Sequence, residues 1–303
     1  MPLAKQVAPQ VRWYGGEPRP LVKYPGGKGW IADRLTEPLA AWLRQNSNGR
    51  YLEPFCGGAA IGIAMGARTR GTNGVLADLG EMPFVVLGHA KANPGAVHAA
   101  LRRFAARGTD RAAFERLREE EPKTGPAQAA RMILLSRLGF NGLWRTNRQG
   151  RYNVPYGRYD RIDLPSLGQL EIVSKTLEGF DIRRGDFEDT ARLAGRGDLL
   201  VCDPPYVSCF DGYSGPGAWI DGLDRPRLAR AAGEALSRGA GVVVFDLRTP
   251  WTRKLYRAAG LQPIALSHVH SIGATAERRK SRPETIFAGP AKLVETIRHL
   301  EEP

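Results

Sequence analysis

At 303 residues and 42% hydrophobic content, the chain has enough apolar material for one large domain with an insertion, or for two domains. Lys and Arg total 44 against 31 Asp and Glu, a formal net charge of +13 that favours a polyanionic partner such as nucleic acid, the bland alternative being a basic protein that is merely soluble. Cys56, Cys202 and Cys209 are too few and too irregularly spaced for a disulfide framework or a zinc site, and no run approaches the roughly 18 apolar residues of a membrane span.

A cytoplasmic protein with reduced thiols, no bound metal and no membrane contact is therefore expected; the close pair His268 and His270 has no Cys or acidic cluster beside it to complete a metal site.

The chain's first distinctive stretch is LVKYPGGKGWI (21 to 31), which sets an aromatic and two lysines around a glycine pair. Lys28 can bind a carboxylate or phosphate, Tyr24 can pack on a base, and Gly26 and Gly27 allow close approach; a loop with a charged rim is the plainer alternative. GWIADRLTEPLAAWLRQ (29 to 45) follows as a helix with an apolar stripe near the 3.6-residue period. YLEPF (51 to 55) then opens a series of short apolar runs, continued by GVLAD (74 to 78), DLLVCD (198 to 203) and GVVVFD (241 to 246). With helical stretches between them, these give the βαβ rhythm of a parallel sheet in an α/β protein.

LEPFCGGAAIG (52 to 62) reads as a strand, a glycine-rich turn and the start of a small-residue helix. Gly57 and Gly58 let a ligand approach the backbone, and the helix start offers free N–H groups. The spacing is neither that of a GxGxxG dinucleotide loop nor that of a phosphate-binding P-loop, and a simple tight turn is an equal alternative. GVLAD ends in Asp78, at the place where an acid in a doubly wound sheet commonly takes ribose hydroxyls.

The strand rhythm breaks between about residues 81 and 170. GAVHAALRRFAARG, AAFERLREEE and QAARMILLSRLGFNG are helical, and the polar stretch LWRTNRQGRYNVPYGRYDR follows. From 131 to 161 there are seven arginines and one acid, Asp160, interleaved with Asn141, Asn147, Asn153, Tyr152, Tyr156 and Tyr159. Arginine suits phosphate and guanine and asparagine can pair with adenine edges, so this interval is either a nucleic-acid reader or a solvated basic loop. Beyond DLLVCD, DRPRLARAAGEALSRG is a helix, and LQPIALSHVHSI with PETIFAG form two strands in a hairpin arrangement.

CDPPY places Asp203 at the carboxyl end of an apolar strand, the edge where open α/β sheets bind ligands. Pro204 and Pro205 fix two φ angles and contribute no N–H, so the turn is stiff and rich in acceptors. Such a turn suits a planar ring bearing an amine. Asp203 and the Pro204 carbonyl accept its two N–H bonds, and Tyr206 stacks on its face.

Taken together, LVKYPGGKGWI, YLEPFCGGAAIG, VLAD, RRGDFED, CDPPY and FNGLWRTNRQGRYNVPYGRY resemble the Dam-type DNA adenine N6-methyltransferases over roughly residues 21 to 288. The resemblance implies a class I methyltransferase fold dependent on S-adenosylmethionine. Its catalytic part (1 to 80 and 171 to 303) would hold a seven-stranded, mostly parallel sheet, with a mainly helical target-recognition insertion at 81 to 170. It implies a cofactor pocket of Tyr24, Lys28, Phe55, Cys56, Gly57, Gly58 and Asp78, with Asp186 and Phe187 flanking the cofactor adenine and Asp203 beside it. Asp203, Pro204, Pro205 and Tyr206 become the catalytic turn, and Asn141, Arg145, Asn147, Arg148, Arg151 and Asn153 fall in the DNA-reading segment.

The expected substrate is an adenine flipped out of double-stranded DNA, in a GATC-like site, methylated by a protein for which a monomer suffices. A methyltransferase for RNA or for a protein amide, and a non-catalytic DNA-binding homologue, are the alternatives weighed against it. Two positions depart from the family pattern: ADLGEMP lacks the Asn that commonly follows the ribose-binding Asp closely, and DLRTP stands after GVVVF where the family often has a Ser-Asn pair.

Overall fold

In the computed structural model, residues 8–46, 49–69, 71–205, 224–270 and 282–301 are described. The elements run β1 (Gln10–Tyr14), α1 (Gly29–Gln45), β2 (Tyr51–Glu53), α2 (Ala60–Arg68), β3 (Gly74–Asp78), α3 (Glu81–Ala92), α4 (Pro94–Ala106), α5 (Arg111–Glu119), α6 (Gly125–Leu138) and β4 (Arg161–Pro165). They continue with α7 (Leu167–Thr176), β5 (Phe180–Arg184), α8 (Phe187–Ala191), β6 (Leu199–Cys202), α9 (Asp224–Ser237), β7 (Gly241–Leu247), α10 (Pro250–Ala258), β8 (Gln262–His270), β9 (Arg282–Gly289) and α11 (Ala291–Ile297).

Seven strands form the main sheet in the order β5-β3-β2-β6-β7-β9-β8. The first five are parallel, and β9 runs antiparallel to both β7 and β8. This is the α/β, seven-stranded, mostly parallel sheet that the sequence resemblance implies. The strand order reverses between β2 and β6: the chain goes outward from β2 through β3 to β5, then returns to β6 on the other side. The carboxyl ends of β2 and β6 therefore splay their loops apart and open a crevice, the place where doubly wound sheets bind ligands.

The central strands are apolar throughout because both their faces are covered. Along β6, Leu199 and Val201 belong to one apolar cluster and Leu200 and Cys202 to the other; along β7, Val243 and Phe245 alternate in the same way with Val242 and Val244. The period of two thus splits each strand between two cores. The first core takes Leu35 and Leu39 of α1, Ile61 and Met65 from α2, and Leu293 from α11. The second takes Phe187 of α8, Leu228 and Ala232 of α9, and Tyr256 of α10.

The first core extends without a break into the interval between β3 and β5. Leu101 and Phe104 of α4, Phe114 of α5 and Ile133 and Leu134 of α6 are all part of it, together with Tyr152, Val154 and Tyr156. β1 pairs in parallel with β4, register Gln10↔Arg161 to Tyr14↔Pro165, so an early strand is tied to the end of that interval. Arg137 of α6 adds a second tie, donating to Tyr14 Oη at 3.0 Å and to the Leu21 carbonyl at 3.2 Å.

Leu76 is fully buried in β3, packed in the first core. Leu76→Ala is expected to lower the unfolding free energy by about 2–5 kcal/mol, seen as an earlier urea midpoint with an unchanged slope.

Candidate active site

The crevice at the switch point is a cavity of about 990 Å³, walled by the segment from Pro20 to Gly29, the loop after β2, the loop after β3, and the end of β6. Each wall is shaped by local sequence. Gly57 takes φ +48°, and a side chain there would strike the Tyr24 ring at 2.9 Å, so both the conformation and the space demand glycine. Gly58 lies against Tyr24 Cβ in the same way, at 3.3 Å for an added Cβ. Tyr24 and the glycine loop thus pack face to face, and α2 starts directly behind them with its N-cap residue, Ala59, in the left-handed region at φ +55°.

Asp78 ends β3 and fixes this loop from the side. Its carboxylate accepts the Gly57 N–H at 2.9 Å and the Gly80 N–H at 2.8 Å. Burial pushes its carboxyl up from the ordinary value, against the opposing pull of the Gly80 and Gly57 donors. Phe55 stacks on Phe187, with ring centroids 5.4 Å apart and 21° between planes, and both rings face the cavity. Cys56 lines it too, and burial drives its thiol well above the usual range, which favours the protonated form.

Asp186 is placed differently. Its carboxylate caps α8 by accepting the Glu188 N–H at 2.9 Å, and it pairs with Arg227 at 3.1 Å; it is absent from the cavity wall, where its neighbours Gly185 and Phe187 stand.

The floor is formed by charges from distant parts of the chain. Lys28, 3% exposed, sits 2.7 Å from Asp203 and 3.1 Å from Glu284 of β9, and also donates to the Gly26 carbonyl at 3.0 Å. Burial alone would depress its pKa, but the fields of Asp203 and Glu284 outweigh that and raise it, so the ammonium stays charged. Glu53, at the end of β2, is buried and accepts the Tyr51 hydroxyl at 3.0 Å. Burial, reinforced by the nearby Asp203 and Asp78 charges, pushes Glu53 up to about 8 despite that hydrogen bond. Pro204 and Pro205 complete the wall next to Asp203; Tyr206 lies outside the described residues.

The structure therefore gathers Tyr24, Lys28, Phe55, Cys56, Gly57, Gly58, Asp78, Phe187, Asp203, Pro204 and Pro205 around one cavity. Glu53, Glu284 and Trp144 were not singled out from sequence. Glu53 was legible as an acid at a strand end; Glu284 and Trp144 carried no local signal.

Trp144, Thr146 and Gly150 bring the polar segment into the cavity rim. Residues 145 to 153 double back on themselves, Asn147 N–H donating to the Arg151 carbonyl at 2.8 Å and Asn153 N–H to the Arg145 carbonyl at 3.0 Å. Gly150, at φ +77°, closes the three-residue turn. Arg145 and Asn153 bond each other at 2.8 Å, and Asn147 accepts from the backbone of Gln149 and Arg151. These three shape the hairpin. Arg148 at the tip is exposed, as are Asn141 and Arg151, the latter 3.9 Å from Glu119.

A family model described as D12 class N6 adenine-specific DNA methyltransferase matches residues 24–258. The chain belongs to that family. It is a DNA adenine methyltransferase dependent on S-adenosylmethionine. The enzyme is 26% identical to a type II methyltransferase of Lactococcus lactis subsp. cremoris, over 88% of this chain and 94% of that one. It is 28% identical to the DNA adenine methylase of Vibrio cholerae over 81% of this chain and 87% of its relative. Against the DNA N-6-adenine-methyltransferase of Escherichia phage P1 it is also 28% identical, over 86% of this chain and 34% of that longer protein. Among the described residues of the methyltransferase, no group of three or more His, Cys, Asp or Glu is placed to hold a metal ion, and no helix is long and apolar enough to cross a membrane.

Glu53 gives the site a pH signature. An acid whose folded pKa is raised contributes stability that is present below its unfolded value and is lost as pH climbs through the folded one. Between its ordinary 4.5 and about 8, the Glu53 contribution falls by about 1.4 kcal/mol per pH unit. Glu53→Gln is neutral at every pH, so its stability relative to wild type should rise from pH 5 to pH 9 in urea melts. Parallel profiles would mean that Glu53 is ionised in the folded enzyme throughout.

Proposed function

We propose that the enzyme methylates the N6 amine of an adenine flipped out of duplex DNA into this cavity, and that Asp203 and the Pro204 carbonyl receive its two N–H bonds. The observation that carries the reading is the position of Asp203, half-buried and paired with the buried Lys28 ammonium at the carboxyl end of β6 and at the floor of the cavity. The walls fit S-adenosylmethionine. The loop of Gly57 and Gly58 backs Tyr24 on the cavity wall, Asp78 stands where a ribose would lie, Phe55 and Phe187 offer apolar faces for an adenine, and Asp203 opposes a cationic group. When bound, S-adenosylmethionine supplies a methyl group already activated on a sulfonium.

What remains for the chain's own residues is to align the amine and exclude water. The adenine amine is a weak nucleophile because its lone pair is delocalised into the ring. Hydrogen bonds from both N–H groups to Asp203 and Pro204 O favour a pyramidal nitrogen, and the carboxylate stabilises the positive charge that the nitrogen gains. Tyr206 would stack on the base. The proton can leave after transfer, so Asp203 need not act as a formal base.

The interval 81 to 170 reads the DNA. In it the hairpin of residues 145 to 153 stands at the cavity rim with exposed arginines at and beside its tip, while Arg145, Asn147 and Asn153 hold its shape. The FNGLWRTNRQGRYNVPYGRY sequence supports a GATC-like target, and a monomer suffices for the chemistry.

Incubation with labelled S-adenosylmethionine and unmethylated duplex DNA should put label in N6-methyladenine at one short recurring sequence. Asp203→Ala should lower the single-turnover rate by at least about 100-fold with the protein still folded. Label on another base, or full activity in the variant, would overturn the assignment. DNA affinity should also fall steeply with salt, and Arg148→Ala should reduce the slope of log K against log salt by about 1 if Arg148 meets a phosphate. An affinity independent of salt would contradict this.

A further inference from the structure

Pro204 and Pro205 have no N–H, so the turn that presents Asp203 cannot be held by its own backbone donors. Lys28 holds one end of it. At the other end, the Pro205 carbonyl accepts from Arg225 Nη2 at 2.7 Å. Arg225 lies in the first turn of α9 and is 3% exposed, an unusual place for a guanidinium. Its Nε is 2.7 Å from Asp246 Oδ2, and its Nη2 is 3.4 Å from Asp246 Oδ1.

Asp246 is itself immobilised. It lies in β7, 2% exposed, and its two oxygens also accept the Tyr256 hydroxyl at 2.9 Å and the Leu247 N–H at 2.8 Å. Burial first, and the Asp246 charge second, keep the Tyr256 phenol protonated and so a donor. Tyr256 is fully buried on α10, with its ring packed against Phe287 of β9 at 4.6 Å. Asp246 is the residue that opens DLRTP.

A buried ion pair is a poor source of net stability, because apolar residues of the same volume would serve as well or better. What apolar residues could not supply is the planar fork that reaches past Asp246 to the Pro205 carbonyl. We propose that Arg225 is a positioning residue for methyl transfer: anchored on Asp246, which Tyr256 holds in turn, it fixes the Pro205 carbonyl and with it the direction in which Asp203 and the Pro204 carbonyl face the target amine. This rests on the reading of Asp203 and Pro204 as the acceptors of that amine.

The test separates positioning from folding. The double substitution Arg225→Met with Asp246→Leu removes both charges together and leaves no unpaired ion. Melting temperature, S-adenosylhomocysteine affinity, DNA affinity and single-turnover methyl transfer would be measured for it, for Arg225→Lys and for the wild type. The proposal predicts a double variant with near-wild-type melting and both affinities within about threefold, but a transfer rate lower by roughly 100-fold. Arg225→Lys keeps the charge without the fork and should lose rate at unchanged melting temperature.

A double variant that folds and transfers at the wild-type rate would overturn the proposal. So would a rate loss that merely tracks the folded fraction. If the double variant fails to fold, Arg225→Lys decides: reduced rate at unchanged stability supports the proposal, and unchanged rate overturns it. Failure of the wild type to methylate adenine in the same assay would instead overturn the reading of the site.

Discussion

The site depends on one buried ammonium. Lys28 stands where the segment before α1, the end of β6 and the strand β9 converge, and it meets Asp203 from one and Glu284 from another. Taking such charges out of water costs several kcal/mol per ion unless they find each other, so neither carboxylate can be stripped of its partner cheaply. The consequence is geometric. The early segment carrying Tyr24 is pinned to the catalytic turn, and Tyr24 in turn packs on the Gly57 loop. Three loops that share no sequence neighbourhood thereby become one rigid wall.

The sheet topology explains why acids collect there. Glu53, Asp78 and Asp203 stand at or just past the ends of β2, β3 and β6, three parallel strands whose carboxyl ends open on the same edge. Each is stabilised by its own means: a tyrosine hydroxyl, two backbone N–H groups, and an ammonium. The residual cost shows in the raised Glu53 and Asp78 pKa values. A cavity that is electron-rich on one side suits a cofactor carrying a sulfonium and an amine. The exposed arginines at its rim suit the opposite charge of a DNA backbone.

The core strands were readable because they are buried on both faces: GVLAD coincides with β3, and DLLVCD and GVVVFD differ from β6 and β7 by a residue or so at their ends. GWIADRLTEPLAAWLRQ is α1 residue for residue, since one polar and one apolar stripe leave little ambiguity. β1, β4 and β5 were invisible for the opposite reason. QVRWY, RIDLP and FDIRR are short and each is interrupted by charge, and only their partners make them strands. The motifs around the cavity could be read from sequence, but not their pairing: Lys28 and Asp203 are 175 residues apart, and nothing in PETIFAG marks Glu284 as their neighbour. Likewise nothing in the polar segment's sequence shows that the side-chain oxygens of Asn147 and Asn153 accept within the hairpin, from the Gln149 and Arg151 backbone and from Arg145.

Everything proposed for the chemistry rests on Asp203 and the Pro204 carbonyl, held between Lys28 and Arg225, receiving the amine of an extrahelical adenine. A crystal structure of the enzyme with its duplex target and S-adenosylhomocysteine would show this directly. The adenine is expected out of the stack, with N6 about 3 Å from both acceptors and the Lys28 to Asp203 contact intact. A target base still stacked in the duplex, or an amine directed at other acceptors with Asp203 turned away, would contradict it.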